Sequence, residues 1–285
     1  MNFCYFTLVL VFTMFLPHPA ALGLSLVCAM VYAIYLKGGR AAAGSLRYLL
    51  PMALIAAVVN PAFSHEGTTI LTYLPSGNPL TLESILYGLF AAGLLCAVIT
   101  WFSCLTQVLS SDKFVYLFGR AAPALSLVLS MSLRFVPRFK TRFHQVADAQ
   151  RCMGRDVSQG PLLQRLRAAA TVFSIVVTWS LEDAIHTADS MKSRGYGLPG
   201  RTAFSIYRFD ARDRGLLLWL GLCGAYLAWG WATGALAWRW YPSVKAAPLS
   251  PFTLSLFPVF LALCMTPVFL DRREDAAWKR SLSRT

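Results

Sequence analysis

The chain has 285 residues, 56% hydrophobic and 14% charged, with a mean hydropathy of +0.54. Soluble globular chains hold about 45–50% apolar and about 25% charged residues, so this apolar excess needs lipid as its solvent. The net charge of +13 would suggest nucleic acid in a soluble protein, but these cations lie between apolar blocks, the pattern of cytoplasmic loops, which argues against a nucleic-acid partner.

Residues 1–36 contain no Asp, Glu, Lys or Arg. A spanning helix needs about 20 mostly apolar residues. Pro17-His18-Pro19 breaks the first run into a short segment at 3–16 and a span at 20–36. Whether 3–16 crosses the membrane, and so the side of the N-terminus, stays open at this point. The start has no basic leader, so it reads as membrane-resident and not as a cleaved signal peptide. Lys37-Gly38-Gly39-Arg40, with Arg47, reads as a short cytoplasmic loop. Residues 48–63 form a second span, closed by Asn60-Pro61. The stretch 64–82 has no Lys or Arg and includes Pro75-Ser76-Gly77-Asn78-Pro79, which places it outside. Residues 84–109 form a third span ending near Asp112-Lys113, with Glu83 at its start, where the helix dipole favours a carboxylate.

The middle is different. Residues 137–167 hold seven basic and two acidic side chains, and 192–214 hold six and two. Both stretches belong on the cytoplasmic side. The apolar stretches beside them, 121–136 and 168–181, are short for spans, and either one crossing alone would strand a basic block outside. They read as amphipathic helices at the cytoplasmic face, running on into charged halves over roughly 121–151 and 163–193. Two more spans follow at about 215–238 and 251–270, joined by a loop with Pro242, Pro248 and Pro251. The tail 271–285, with five basic and three acidic residues, returns to the cytoplasm.

Catalytic patterns are missing. No Gly precedes a Lys, so there is no Walker A loop. His65-Glu66 opens like a zincin helix, but Thr69 holds the place of the second His. The cysteines at 4, 28, 96, 104, 152, 223 and 264 form no CxxC pair and read as packing residues. No enzyme activity, metal or cofactor is expected.

Two segments stand out. Leu133-Arg134-Phe135-Val136-Pro137-Arg138 leads to Ala149-Gln150-Arg151-Cys152-Met153-Gly154-Arg155-Asp156, and a second run goes from Ala188 through Ser193-Arg194-Gly195 to Gly197. Each is a helical run ending at small residues, Arg and Gly. Glycine is a common helix stop, and a guanidinium there suits a carboxylate or carbonyl acceptor on a partner. The chain resembles the transmembrane T component of energy-coupling factor transporters, the cobalt-transporter Q-type family, most densely from about 125 to 210. Ser193-Arg194-Gly195 resembles the core of the family's second Arg signature. Ala149-Gln150-Arg151 and Gly154 resemble the first, but Cys152-Met153-Gly154 has Met where the family has Arg. Arg151 and Arg155 flank it as candidates to take over the contact.

The resemblance implies an all-α, polytopic membrane protein with about five to six transmembrane helices and a cytoplasmic pair of long coupling helices. Its parts would be 1–120, N-terminal helices; 121–214, the coupling region; and 215–285, C-terminal helices and cytoplasmic tail. It implies a non-catalytic subunit in the bacterial inner membrane, working with two ABC-type ATPase subunits and a small substrate-binding membrane subunit (the S component) to import a vitamin or metal ion. The helix tips at Arg151, Cys152, Met153, Gly154 and Arg155, and at Ser193, Arg194 and Gly195, would dock the ATPases. The alternatives are the permease of a conventional ABC importer and a membrane scaffold with basic interfacial helices.

Overall fold

A computed structural model describes residues 1–64, 66–73, 79–110, 113, 115–116, 123–155, 160–198, 210–248 and 250–282. His65, the turn at 75–78, Asp112, the 120/121 boundary, Asp156, Arg201 and Arg208 lie outside the described residues. Among the described residues are eight helices: α1 Asn2–Phe15, α2 Pro19–Lys37, α3 Gly39–Phe63, α4 Leu82–Val108, α5 Pro123–Cys152, α6 Leu162–Ser193, α7 Ala211–Ala232 and α8 Pro251–Leu282. Two antiparallel hairpins lie in the connections, β1 Ile70–Tyr73 with β2 Pro79–Thr81, and β3 Trp238–Arg239 with β4 Lys245–Ala246. Six helices are long and apolar enough to cross a membrane, α2, α3, α4, α6, α7 and α8. The chain divides into two units, 1–109 with 209–285, and 110–208.

In the first unit, α4 packs against α1, α2 and α3, and the short α1 is tucked into the core. At 14 residues it is about 21 Å long, short of the ~30 Å hydrocarbon layer. Tyr5, Phe6, Val9 and Phe12 are all buried. Tyr5 and Phe6 meet the fully buried Trp101 of α4 edge-on, with ring centroids 6.3 Å apart in each case. Polar groups inside this core are paired, as burial requires. The Trp101 indole N–H donates to Ser25 Oγ at 3.0 Å, Ser25 shares a hydrogen bond with Thr13 at 2.8 Å, and Tyr5 OH donates to the Cys264 carbonyl at 2.8 Å.

Most basic residues gather at one end of this unit, while Arg239 and Lys245 lie in the β3–β4 hairpin at the other. Lys37 Nζ donates to Ser103 Oγ, Tyr35 OH to Asp275 at 2.7 Å, and Arg212 pairs with Glu274 at 3.0 Å. Aromatic residues gather at the other. His18 packs on Trp238 and Phe257, and Tyr87 on Trp240 and Tyr241. Basic loops at one end and amphipathic rings at the other are how spanning bundles meet the two water layers. Thr81, not Glu83, caps α4, its hydroxyl accepting the Ser84 N–H at 3.4 Å; the Glu83 carboxylate, in the first turn, accepts from Thr69 Oγ1 at 2.6 Å and Thr68 Oγ1 at 3.1 Å, tying the preceding loop to α4.

Three expectations change. The loop placed at 37–47 shrinks to Gly38, because α3 begins at Gly39 and carries Arg40 and Arg47 on its first turns. Long Arg side chains reach water from a helix end, so they need no loop. The helix placed over 215–238 ends at Ala232, and β3 follows. The connections are not wholly irregular, since both hold short hairpins.

In the second unit, α5 and α6 pack antiparallel. Val146 meets Val172 and Val176, flanked by Phe143, Ala147 and Ile175. One turn further along, Arg142 ion-pairs with Asp183, and Arg138 lies 3.5 Å from the same carboxylate. Arg142 also donates to the Trp179 carbonyl at 3.4 Å.

Candidate functional site

Both long helices of the second unit end in one kind of turn. At the end of α5, Arg155 N–H donates to the Gln150 carbonyl and Gly154 N–H to the Arg151 carbonyl, each at 3.0 Å. At the end of α6, Tyr196 N–H donates to the Met191 carbonyl and Gly195 N–H to the Lys192 carbonyl, again each at 3.0 Å. This pair of bonds, spanning five and three residues, is the Schellman stop, which satisfies carbonyls that the helix end would leave bare. It needs a left-handed residue after the cap, and Gly154 (φ +77) and Gly195 (φ +72) supply it.

The shared turn sets the two tips in register. Arg151 matches Lys192, Cys152 matches Ser193, Met153 matches Arg194, Gly154 matches Gly195, and Arg155 matches Tyr196. Cys152 and Ser193 are the last helical residues, and the Ser193 hydroxyl donates to the Ser190 carbonyl at 2.9 Å. Met153 stands at the first cap, 66% exposed, and Arg194 at the second, also exposed. Arg151 and Arg155 are exposed on either side of Met153. Each tip adds side-chain cations to carbonyl oxygens at the negative end of a helix dipole.

The two tips are not brought together. Because α5 and α6 run antiparallel and touch over 138–147 and 172–184, each tip projects past the contact in its own direction. Arg194 lies 18 residues beyond Val176, about 27 Å of helix. A partner at one tip therefore leaves the other open.

A model of the cobalt transport protein family, CbiQ, matches residues 2–204. The chain belongs to this family. It is also similar to two proteins named energy-coupling factor transporter transmembrane protein EcfT. That of Exiguobacterium sibiricum is 36% identical over 106 residues, 37% of this chain and 40% of that protein. That of Lactobacillus helveticus is 37% identical over 102 residues, 35% of this chain and 37% of that protein. The matched stretch thus spans about 40% of the length of these curated relatives. A Bifidobacterium longum protein named as an ABC transporter ATP-binding protein is 26% identical over 216 residues, 71% of this chain and 27% of that protein.

In this CbiQ-family chain, one constellation escapes the sequence. Asp183 ion-pairs with Arg142 and lies 3.5 Å from Arg138, and the three line a groove of about 290 Å³ with Phe135, Phe139 and Leu181. The available signal was weak. Asp183 closes the apolar stretch 168–181, and an acid there, facing a helix with three cations in five residues, has one obvious kind of partner.

Proposed function

We propose that this chain is the energy-coupling transmembrane subunit of an energy-coupling factor importer. The observation that carries this reading is the pair of matched helix stops, at Met153 and Arg194, ending the two long helices of the second unit. A helix transmits force along its axis, and a capped tip offers a fixed set of donors to a partner groove. Two tips facing apart suit two ATPase subunits, one for each. The ATP-binding name of the Bifidobacterium longum relative, which matches most of this chain, supports ATPase partners.

The proposed division follows the charge pattern: 1–120 and 215–285 hold the spans, and 121–214 is the coupling region on the cytoplasmic side. By length and hydropathy α6 could also cross a membrane. A crossing by α6 alone would separate the basic ends near 151–167 from those near 192–214, against the positive-inside distribution. An interfacial α6 keeps both blocks on one side. The Phe135, Phe139 and Leu181 groove then faces a small substrate-capturing membrane subunit, which carries the vitamin or metal ion. ATP-driven closure of the ATPase pair moves the tips and shifts that subunit between two orientations. The chain itself does no chemistry.

Purification from detergent extract, with identification of every co-purifying subunit, tests the reading. Two ATPase polypeptides or a dimer, plus a separate small membrane protein, are expected. ATPases without that small subunit would indicate a conventional ABC permease, and no ATPase at all would refute the coupling role.

A further inference from the structure

A groove of about 210 Å³ opens on the first unit between α2, α3 and α4. Its lining is graded along the bundle. Lys37, Ser45 and Ser103 lie toward the end where the basic residues gather, and Met30, Met52 and Ile99 lie deeper. From Lys37 to Met30 is seven residues of α2, about 10 Å along the axis.

Lys37 is half-buried in this groove and donates to the Ser103 hydroxyl. Among the described residues no carboxylate pairs with it. A half-buried Lys at a helix end reaches the headgroup layer, where an anionic lipid can supply the counter-charge that the protein does not. Arg40 and Arg47, both exposed near the start of α3, lie at the same end but do not line the groove, so Lys37 is the groove's own cation. The deeper half is walled by Met and Ile, and its one hydroxyl, on Thr100, already donates to the Cys96 carbonyl.

We propose that this groove is a binding site for one anionic phospholipid, with an acyl chain along Met30, Met52 and Ile99 and the phosphate on the Lys37 ammonium. The lipid tail gains little from leaving one apolar medium for another, since hydrocarbon and groove are alike. Selection therefore falls on the headgroup, and a single cation at the bilayer surface favours an anionic lipid about fivefold. The site belongs to the spanning bundle and does not depend on the coupling role of the helix tips.

The test is lipid retention by the full chain, purified from nanodiscs containing equal phosphatidylglycerol and phosphatidylcholine and read by mass spectrometry. Wild type should retain phosphatidylglycerol over phosphatidylcholine about fivefold, and Lys37→Arg should keep that preference. Lys37→Gln should bring the ratio to about one. Arg273→Gln, an exposed cation at the same end but outside the groove, should leave it unchanged. Met52→Trp, which fills the apolar half, should lower retention of both lipids. Excess inorganic phosphate should not displace the lipid. A wild-type ratio of one, an unchanged ratio in Lys37→Gln, or displacement by inorganic phosphate would overturn the proposal.

Discussion

Met153 on α5 and Arg194 on α6 occupy the same position in two copies of one helix-ending turn. The backbone of the two tips is matched, and the side chain at the cap is not. An apolar thioether at one tip and a guanidinium at the other meet partners by different chemistry.

Replacing Arg194 by Ala or Glu should weaken ATPase retention at least about tenfold, because a charge-assisted hydrogen bond contributes about 1.5–3 kcal/mol. Membrane insertion should be unaffected. Co-purification of ATPases in a pull-down, paired with an uptake assay, measures both. Full retention with full uptake would remove Arg194 from the docking site.

At the other tip, Met153→Ala should cost less uptake than the double change Arg151→Ala with Arg155→Ala. The shared register adds a sharper expectation: Met153→Arg, which copies the second tip onto the first, should raise ATPase retention. A loss on Met153→Arg would mean that the partner at this tip presents an apolar socket.

The tips were largely legible from residue order. Gly154 and Gly195 after runs of helix formers mark stops, and the helix ends at Cys152 and Ser193 fall within one residue of the ends expected at 151 and 193. The alternation of basic and apolar blocks also located most spans. What it hid depends on contacts far apart in the chain. Nothing in residues 3–16 says that Tyr5 reaches the Cys264 carbonyl or that Phe6 rests on Trp101, so the burial of α1 was out of reach. Arg40 and Arg47 looked like a loop because charge was read as position, whereas a helix start tolerates both. Thr233 to Trp238 is apolar enough to pass for helix, and it is Gly234, at φ +69, that ends α7 early.

The α5–α6 pair should depend on Asp183. Its side chain is 26% exposed and that of Arg142 is 20%, so the ion pair is only partly screened. Asp183→Ala leaves two cations without their acceptor and should cost about 1–2 kcal/mol after allowance for solvent. Limited proteolysis of the 110–208 unit measures the loss. A double-mutant cycle with Arg142→Ala should show coupling, and additive effects would mean that the pair contributes nothing.

Gly88 on α4 allows close approach to α3. Pro61 has no N–H, so the Ala57 carbonyl lacks its usual partner four residues on. A Cβ at Gly88 would lie 2.6 Å from that oxygen and 3.2 Å from Pro61 Cδ. Small residues let spanning helices pack backbone to backbone. Gly88→Leu should therefore destabilise the bundle by about 1–3 kcal/mol, seen as earlier thermal unfolding in detergent. An unchanged midpoint would show that α3 and α4 separate freely here.

His18 should make stability fall in acid. Its Nδ1 accepts the Ala20 N–H at the start of α2, and burial pulls its pKa below the usual value. The unfolded chain takes up the proton first, so stability is full above about pH 6.5 and declines as pH falls through and below that value. His18→Asn, which can cap α2 without titrating, should flatten this decline. A decline of equal size in His18→Asn would assign it to other groups.

Cys152 offers the most direct test of a coupling region that stays inside, since it is exposed and sits at the first tip itself. With Cys4→Ser in place to remove the other exposed thiol, a membrane-impermeant maleimide should label Cys152 in inside-out vesicles and leave it unmodified in intact cells. Leu198→Cys, just past the second tip, should behave the same way. Labelling of either position from the external medium would put a tip on the wrong side of the membrane and contradict the proposed docking to cytoplasmic ATPases.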